Sequence, residues 1–158
     1  MTDFYLTAGS GISIVENVSA STITVNSTFE NKRSVVIPLN TSASLVGTEV
    51  NYVRIPANMA GWYLQDLEVS CSASSTSGSP AFLVSRASAS SISFVDMLTT
   101  NLTIDQGEYD STNALIPPVI STSGSRVLAG DKIKVNSASA SACGTGVTYA
   151  QVSLTFSG

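Results

Sequence analysis

An all-β antiparallel sandwich preceded by a short N-terminal β arm is the fold this sequence predicts. Three observations carry that expectation. Ser and Thr supply 44 of the 158 residues, apolar and polar residues alternate along most of the chain, and no stretch long enough for a stable helix shows a helical period. A chain of this length fits one domain and buries about two thirds of its unfolded surface, so one ordinary core is expected.

The last strand is the clearest element. Ala150, Val152, Leu154 and Phe156 fall on one face, and Gln151, Ser153 and Thr155 on the other. Just upstream, Asp131-Lys132-Ile133-Lys134-Val135 follows the Ala129-Gly130 turn signal and places Ile133 and Val135 inward with both lysines outward. The same alternation predicts strands over Ser34–Leu39, Glu49–Ile55, Trp62–Ser72, Ala81–Arg86, Ser91–Leu98, Leu102–Asp105 and Ala114–Thr122. Regular spacing with Gly, Pro, Asn and Ser between them is the pattern of a sandwich or barrel. Parity slips between Leu64 and Leu67, which predicts a bulge at Gln65-Asp66.

Residues 1–30 form the expected arm, and residues 31–158 the sandwich. The arm carries two short β segments, Leu6 to Ile14 and Ser21 to Val25, with too little apolar mass to be stable as an isolated pair. Its burial is therefore expected to come from a neighbouring subunit or from the surface on which the protein sits, the alternative being an edge hairpin on the same sandwich. Phe4, Leu6, Ile12, Ile14, Val15, Ile23 and Val25 are the candidate interface residues. Two Ser/Ala/Gly-rich stretches, Ser72 to Ser79 and Ser137 to Gly146, are expected to cap hairpins at the sandwich rim, together with Ala87 to Ser91.

Composition narrows the function. The chain is 43% hydrophobic with a mean hydropathy of +0.27, which is too apolar for a disordered segment. A net charge of -4, a pI near 4.5 and seven scattered basic residues disfavour nucleic acid as a partner. No run of about 18 apolar residues predicts a membrane-spanning helix. The Met1-Thr2-Asp3-Phe4-Tyr5 start lacks the basic and apolar regions of a signal peptide, which predicts a product made and used without secretion.

Chemistry is sparse. The chain has no His, so a Ser-His-Asp site is excluded, and a Ser-Lys pair would need Lys32, Lys132 or Lys134, of which the last two are expected on an exposed strand face. No enzymatic activity, cofactor or metal is expected. Asp105, Glu108 and Asp110 lie close in sequence but lack a calcium-loop ligand run, so a solvated turn is the better reading. Cys71 and Cys143 match neither a zinc nor a redox spacing; free thiols are the preferred reading, and a single disulfide is the alternative if the two meet across a sheet. The sequons at Asn17, Asn26, Asn40 and Asn101 are expected by chance in so Ser/Thr-rich a chain. Trp62, Tyr63, Tyr52, Tyr109 and Tyr149 are possible surface contacts, Tyr149 lying away from the core face.

Several segments carry a resemblance: Gly61-Trp62-Tyr63-Leu64-Gln65-Asp66-Leu67, Asp96-Met97-Leu98-Thr99-Thr100, Thr103 to Glu108, Val119-Ile120, and Val127 to Val135 before the terminal strand. Together these resemble small virion structural proteins of tailed bacteriophages. The Leu128-Ala129-Gly130-Asp131 element with Ile133 and Val135 is also similar to the penultimate strand of trimeric jelly-roll domains of the tumour-necrosis-factor type. Leu6 to Ile14 resembles shaft-proximal segments of phage fibres. The resemblance implies a jelly-roll-like sandwich in a homotrimer, located on the virion after synthesis in the host cytoplasm. It implies a capsid decoration or cement protein bound over junctions of the major capsid protein. The alternative it implies is a fibre or receptor-binding module that recognises host surface glycan.

Overall fold

The computed structural model describes the backbone of residues 12–17 and 22–27, and residues 31–39, 51–137 and 149–158 in full. The chain divides into two compact units, one ending at Asn31 and the other running from Lys32 to Gly158.

In the first unit, β1 (Ile12–Asn17) and β2 (Thr22–Ser27) form a two-stranded antiparallel ladder. Its register sets Ile14 opposite Val25 and Glu16 opposite Ile23.

The second unit is an antiparallel β-sandwich, so the expected all-β class holds. Its strands are β3 (Lys32–Pro38), β4 (Asn51–Arg54), β5 (Tyr63–Ser70), β6 (Ala81–Ala87), β7 (Val95–Asp96), β8 (Leu98–Thr100), β9 (Leu102–Thr103), β10 (Val119–Ile120), β11 (Lys132–Ser137) and β12 (Gln151–Ser157). One sheet runs β3-β12-β5, and the other runs β4-β11-β6-β7 with β9 also on β6. β8 and β10 pair separately. The only helical element among the described residues is a single 3-10 turn at Ala57–Met59.

Alternation drives this arrangement. Val152, Leu154 and Phe156 of β12 point between the sheets and meet Leu64, Leu67 and Val69 of β5, with Phe82, Val84, Ile133 and Val135 closing from the facing sheet. These residues belong to one contiguous buried cluster. Burying each such side chain contributes about 1.5–3 kcal/mol, which sets the face of every strand that carries them.

The bulge lies where parity slips. Thr155 pairs with Asp66 and Phe156 with Leu64, so Gln65 is the extra residue. The insertion lets Leu64 and Leu67 both reach the core, which a strict two-residue repeat forbids.

Four expectations need correction. First, Ser91–Leu98 is not one strand: residues 91–94 form a loop, β7 pairs with β6, and the chain bends at buried Met97 before β8. Met97 N donates to Val84 O at 2.8 Å while Met97 O accepts from Ser121 N at 2.8 Å, so the backbone changes partner at that residue. Second, Ala114–Thr122 is reduced to β10, because Pro117 and Pro118 have no N–H with which to join a ladder.

Third, Leu102–Asp105 contracts to β9: Ile104 N donates to Pro80 O at 3.1 Å, but Pro80 has no N–H to return the bond, and Asp105 O accepts from Glu108 N in a turn. Fourth, the Ser72–Ser79 stretch joins β5 to β6, which lie in different sheets, so it is a crossover and not a hairpin cap. Buried Ser75 organises that crossover by donating its hydroxyl to Ser77 O at 2.7 Å and Gly78 O at 2.9 Å. The strands flanking the second low-complexity stretch, β11 and β12, also lie in different sheets; residues 138–148 themselves are outside the described residues. By contrast, Ala87 to Ser91 does lead from β6 toward its hairpin partner β7.

Candidate functional site

The interface residues expected from the sequence fall in the first unit. Phe4 and Leu6 lie outside the described residues. Ile12, Ile14 and Val15 are on β1, and Ile23 and Val25 on β2. The register gives Ile12, Ile14, Ile23 and Val25 one parity and Val15 the other.

A second apolar surface was not legible as such. Leu115 and Ile116 stand in the loop between Ser111 and β10, Leu115 being 85% exposed. The loop is tied down: Leu115 N donates to Asp105 Oδ2 at 2.7 Å, Thr112 N to Asp110 Oδ1 at 2.9 Å, and Val69 N to the Ser111 hydroxyl at 3.0 Å. The result is a braced apolar knuckle beside the outer edge of β5, where Val69 O accepts from Ser111 N and Leu64 N donates to Ser125 O. Pro117-Pro118 is the sequence signal for it, since an apolar run cut short by two prolines becomes a loop.

The same bonds engage two of the carboxylates around Asp105. Asp105 serves Leu115, and Asp110 serves Thr112, whose backbone N–H and side chain hold the Asp110 carboxyl below its ordinary pKa. Gly107, at φ +86°, makes the turn between them. Among the described residues no three His, Cys, Asp or Glu side chains come together as metal ligands. Cys71 is a half-buried free thiol that donates to Tyr109 O at 3.3 Å, and Cys143 lies outside the described residues. Burial pushes the Cys71 thiol up, the neighbouring Asp110 charge adds to that, and a backbone bond at Ala73 offsets part of it.

The lysines expected outward on β11 are outward. Lys132 Nζ donates to the Ser91 carbonyl at 2.6 Å, and Lys134 Nζ sits 4.6 Å from the Phe94 ring centroid. Each is engaged by a group other than a serine hydroxyl. On β4, Arg54 lies opposite Lys132 and Tyr52 opposite Lys134. Together with Ile92 and Phe94 these residues line an open groove of about 370 Å³. The remaining aromatics are elsewhere: Trp62 lies 5.9 Å from the Arg33 guanidinium, while Tyr63, Tyr109 and Tyr149 are exposed on separate elements.

Fold and surface thus define an all-β sandwich protein with an apolar knuckle, a basic aromatic groove and a separate β hairpin. No protein-family model matches the chain, and no curated protein matches it. Among the described residues no helix is long and apolar enough to cross a membrane.

Proposed function

We propose that this chain is a virion structural protein of a tailed bacteriophage, a decoration or cement protein that clamps neighbouring major capsid subunits. The observation that supports the reading is the hairpin: β1 and β2 form a two-stranded sheet in a unit of its own. Two strands without a further layer are marginal in water, so such a hairpin gains stability when a partner supplies strands or apolar cover. The Leu115–Ile116 knuckle offers a second contact. A homotrimer of jelly-roll type presents three copies of each contact, and avidity then converts weak individual binding into durable attachment.

The test is co-sedimentation with undecorated capsids, comparing the full chain with one lacking residues 1–30. Stoichiometric binding by the full chain that disappears on truncation is the expected result. Absence of binding by the full chain defeats the proposal. A second reading, a fibre or receptor-binding module for host glycan, is favoured by the exposed Tyr52 beside three cations.

A further inference from the structure

We infer that the groove on the outer face of the β4-β11 pair binds an acidic saccharide, with its cations on the sugar's carboxylate or sulfate and Tyr52 under the sugar ring. The inference deepens the glycan reading by naming the site and the ligand class, and it rests on that reading for the presence of any glycan partner.

Charge placement is the first argument. The chain has seven basic residues and a net charge of -4, yet Arg54, Lys132 and Lys134 converge on one groove. The register puts Arg54 directly opposite Lys132, a like-charge cross-strand pair that costs stability without helping the fold. Among the described residues the Arg54 side chain has neither a hydrogen bond nor an ion pair, whereas Arg86 is paired with Asp131. Along this sheet face the nearest acid among the described residues is Asp96, opposite Ser85, which is itself opposite Lys134. Two strand spacings place it about 10 Å from Lys134, near the screening length in ordinary salt. The groove therefore keeps a local positive potential on an acidic protein.

Shape and surface chemistry choose the ligand. Tyr52 is 65% exposed and Ile92 91% exposed, so an apolar, partly aromatic surface faces water beside the cations. The Ser91–Phe94 wall is held in place by Lys132 on Ser91 O and by Ser93 N on the Ser91 hydroxyl at 3.0 Å. A pyranose ring with an acidic substituent matches both halves. Its C–H face covers an aromatic ring, and its carboxylate takes the two-pronged Arg54 guanidinium. Nucleic acid fits worse, because three cations on a net-negative chain cannot follow a phosphate backbone. An acidic peptide supplies carboxylates but brings no flat, rigid ring and loses more conformational freedom on binding.

The experiment is calorimetric titration of the full chain with oligogalacturonate, heparin oligosaccharide, maltooligosaccharide and polyglutamate. Saturable binding to one of the acidic sugars is expected, weakened about ten-fold or more by Arg54→Gln and by Lys134→Gln. Tyr52→Ala should weaken it as well, whereas polyglutamate and maltooligosaccharide should bind far less. Removing the like-charge pair should leave Arg54→Gln at least as thermally stable as the parent, so lost binding cannot be put down to unfolding. Equal or tighter binding of polyglutamate overturns the inference in favour of an acidic protein partner. Sugar binding that ignores the groove variants, or neutral sugar binding alone, overturns the site but leaves the glycan reading standing; no sugar binding at all removes both.

Discussion

Arg86 Nη1 lies 2.9 Å from Asp131 Oδ2, and that same oxygen accepts the Leu128 N–H at 2.9 Å. One buried carboxylate therefore ties β6 to the turn that launches β11. The Asp131 side chain is 2% exposed against 24% for Arg86, so the carboxylate is the more desolvated partner. Arg86 Nε is buried with no partner, which leaves Asp131 as the main compensation for that guanidinium.

Replacing Asp131 with Ala strands the Arg86 charge and the Leu128 N–H together. The expected loss is about 3 kcal/mol, measured as a lower urea midpoint. Replacing both residues, Arg86→Met with Asp131→Leu, should recover most but not all of it, because the Leu128 N–H remains unpaired at a cost of about 1 kcal/mol or more. A single-variant loss below about 1 kcal/mol would show that the pair is not structural.

Gly124 is required by space and not by its φ. A Cβ built there meets Asp96 O at 2.7 Å and Met97 Cα at 3.1 Å, both backbone atoms that cannot swing aside. Gly124→Ala should cost about 1–3 kcal/mol through displacement of the Met97 corner. Gly78→Ala is the control for the space argument: nothing lies within 4 Å of its added Cβ, so only the strain of φ +71° is expected, about 1 kcal/mol. A Gly124→Ala midpoint equal to that of the parent would contradict the packing at this corner.

Burial raises the Cys71 thiol pKa, so the folded protein keeps that proton to higher pH than the unfolded chain. The associated stability is present in full below the ordinary thiol pKa of about 8.5 and declines as pH rises through the folded value. In a Cys143→Ser background, iodoacetamide at pH 8 should label Cys71 more slowly in the folded protein than in urea. The alkaline decline should also be shallower in Cys71→Ser. Equal labelling rates in the two states would overturn this account.

Among the described residues the buried core runs from Ile37 to Phe156, within the unit that starts at Lys32. Deleting residues 1–30 should therefore shift the thermal midpoint by less than about 3 °C, which corresponds to under about 1 kcal/mol for a domain of this size. Calorimetry measures it directly. A large drop would mean that the sandwich depends on the arm for its own stability.

The residues alone determined the class and the faces. Alternation through Val152, Leu154 and Phe156 fixes which side of β12 is buried, and the broken parity between Leu64 and Leu67 locates the bulge near Gln65-Asp66, because both are local consequences of a two-residue repeat. Partner choice was decided by tertiary structure. A period of two states which face is apolar but not which strand lies alongside, so nothing local reveals that β5 and β6 enter different sheets or that Arg54 stands against Lys132. The Leu115–Ile116 knuckle belongs to the same class of outcome. Its exposure follows from two prolines and from the Asp105 carboxylate holding Leu115 N, a contact made across ten residues of irregular chain.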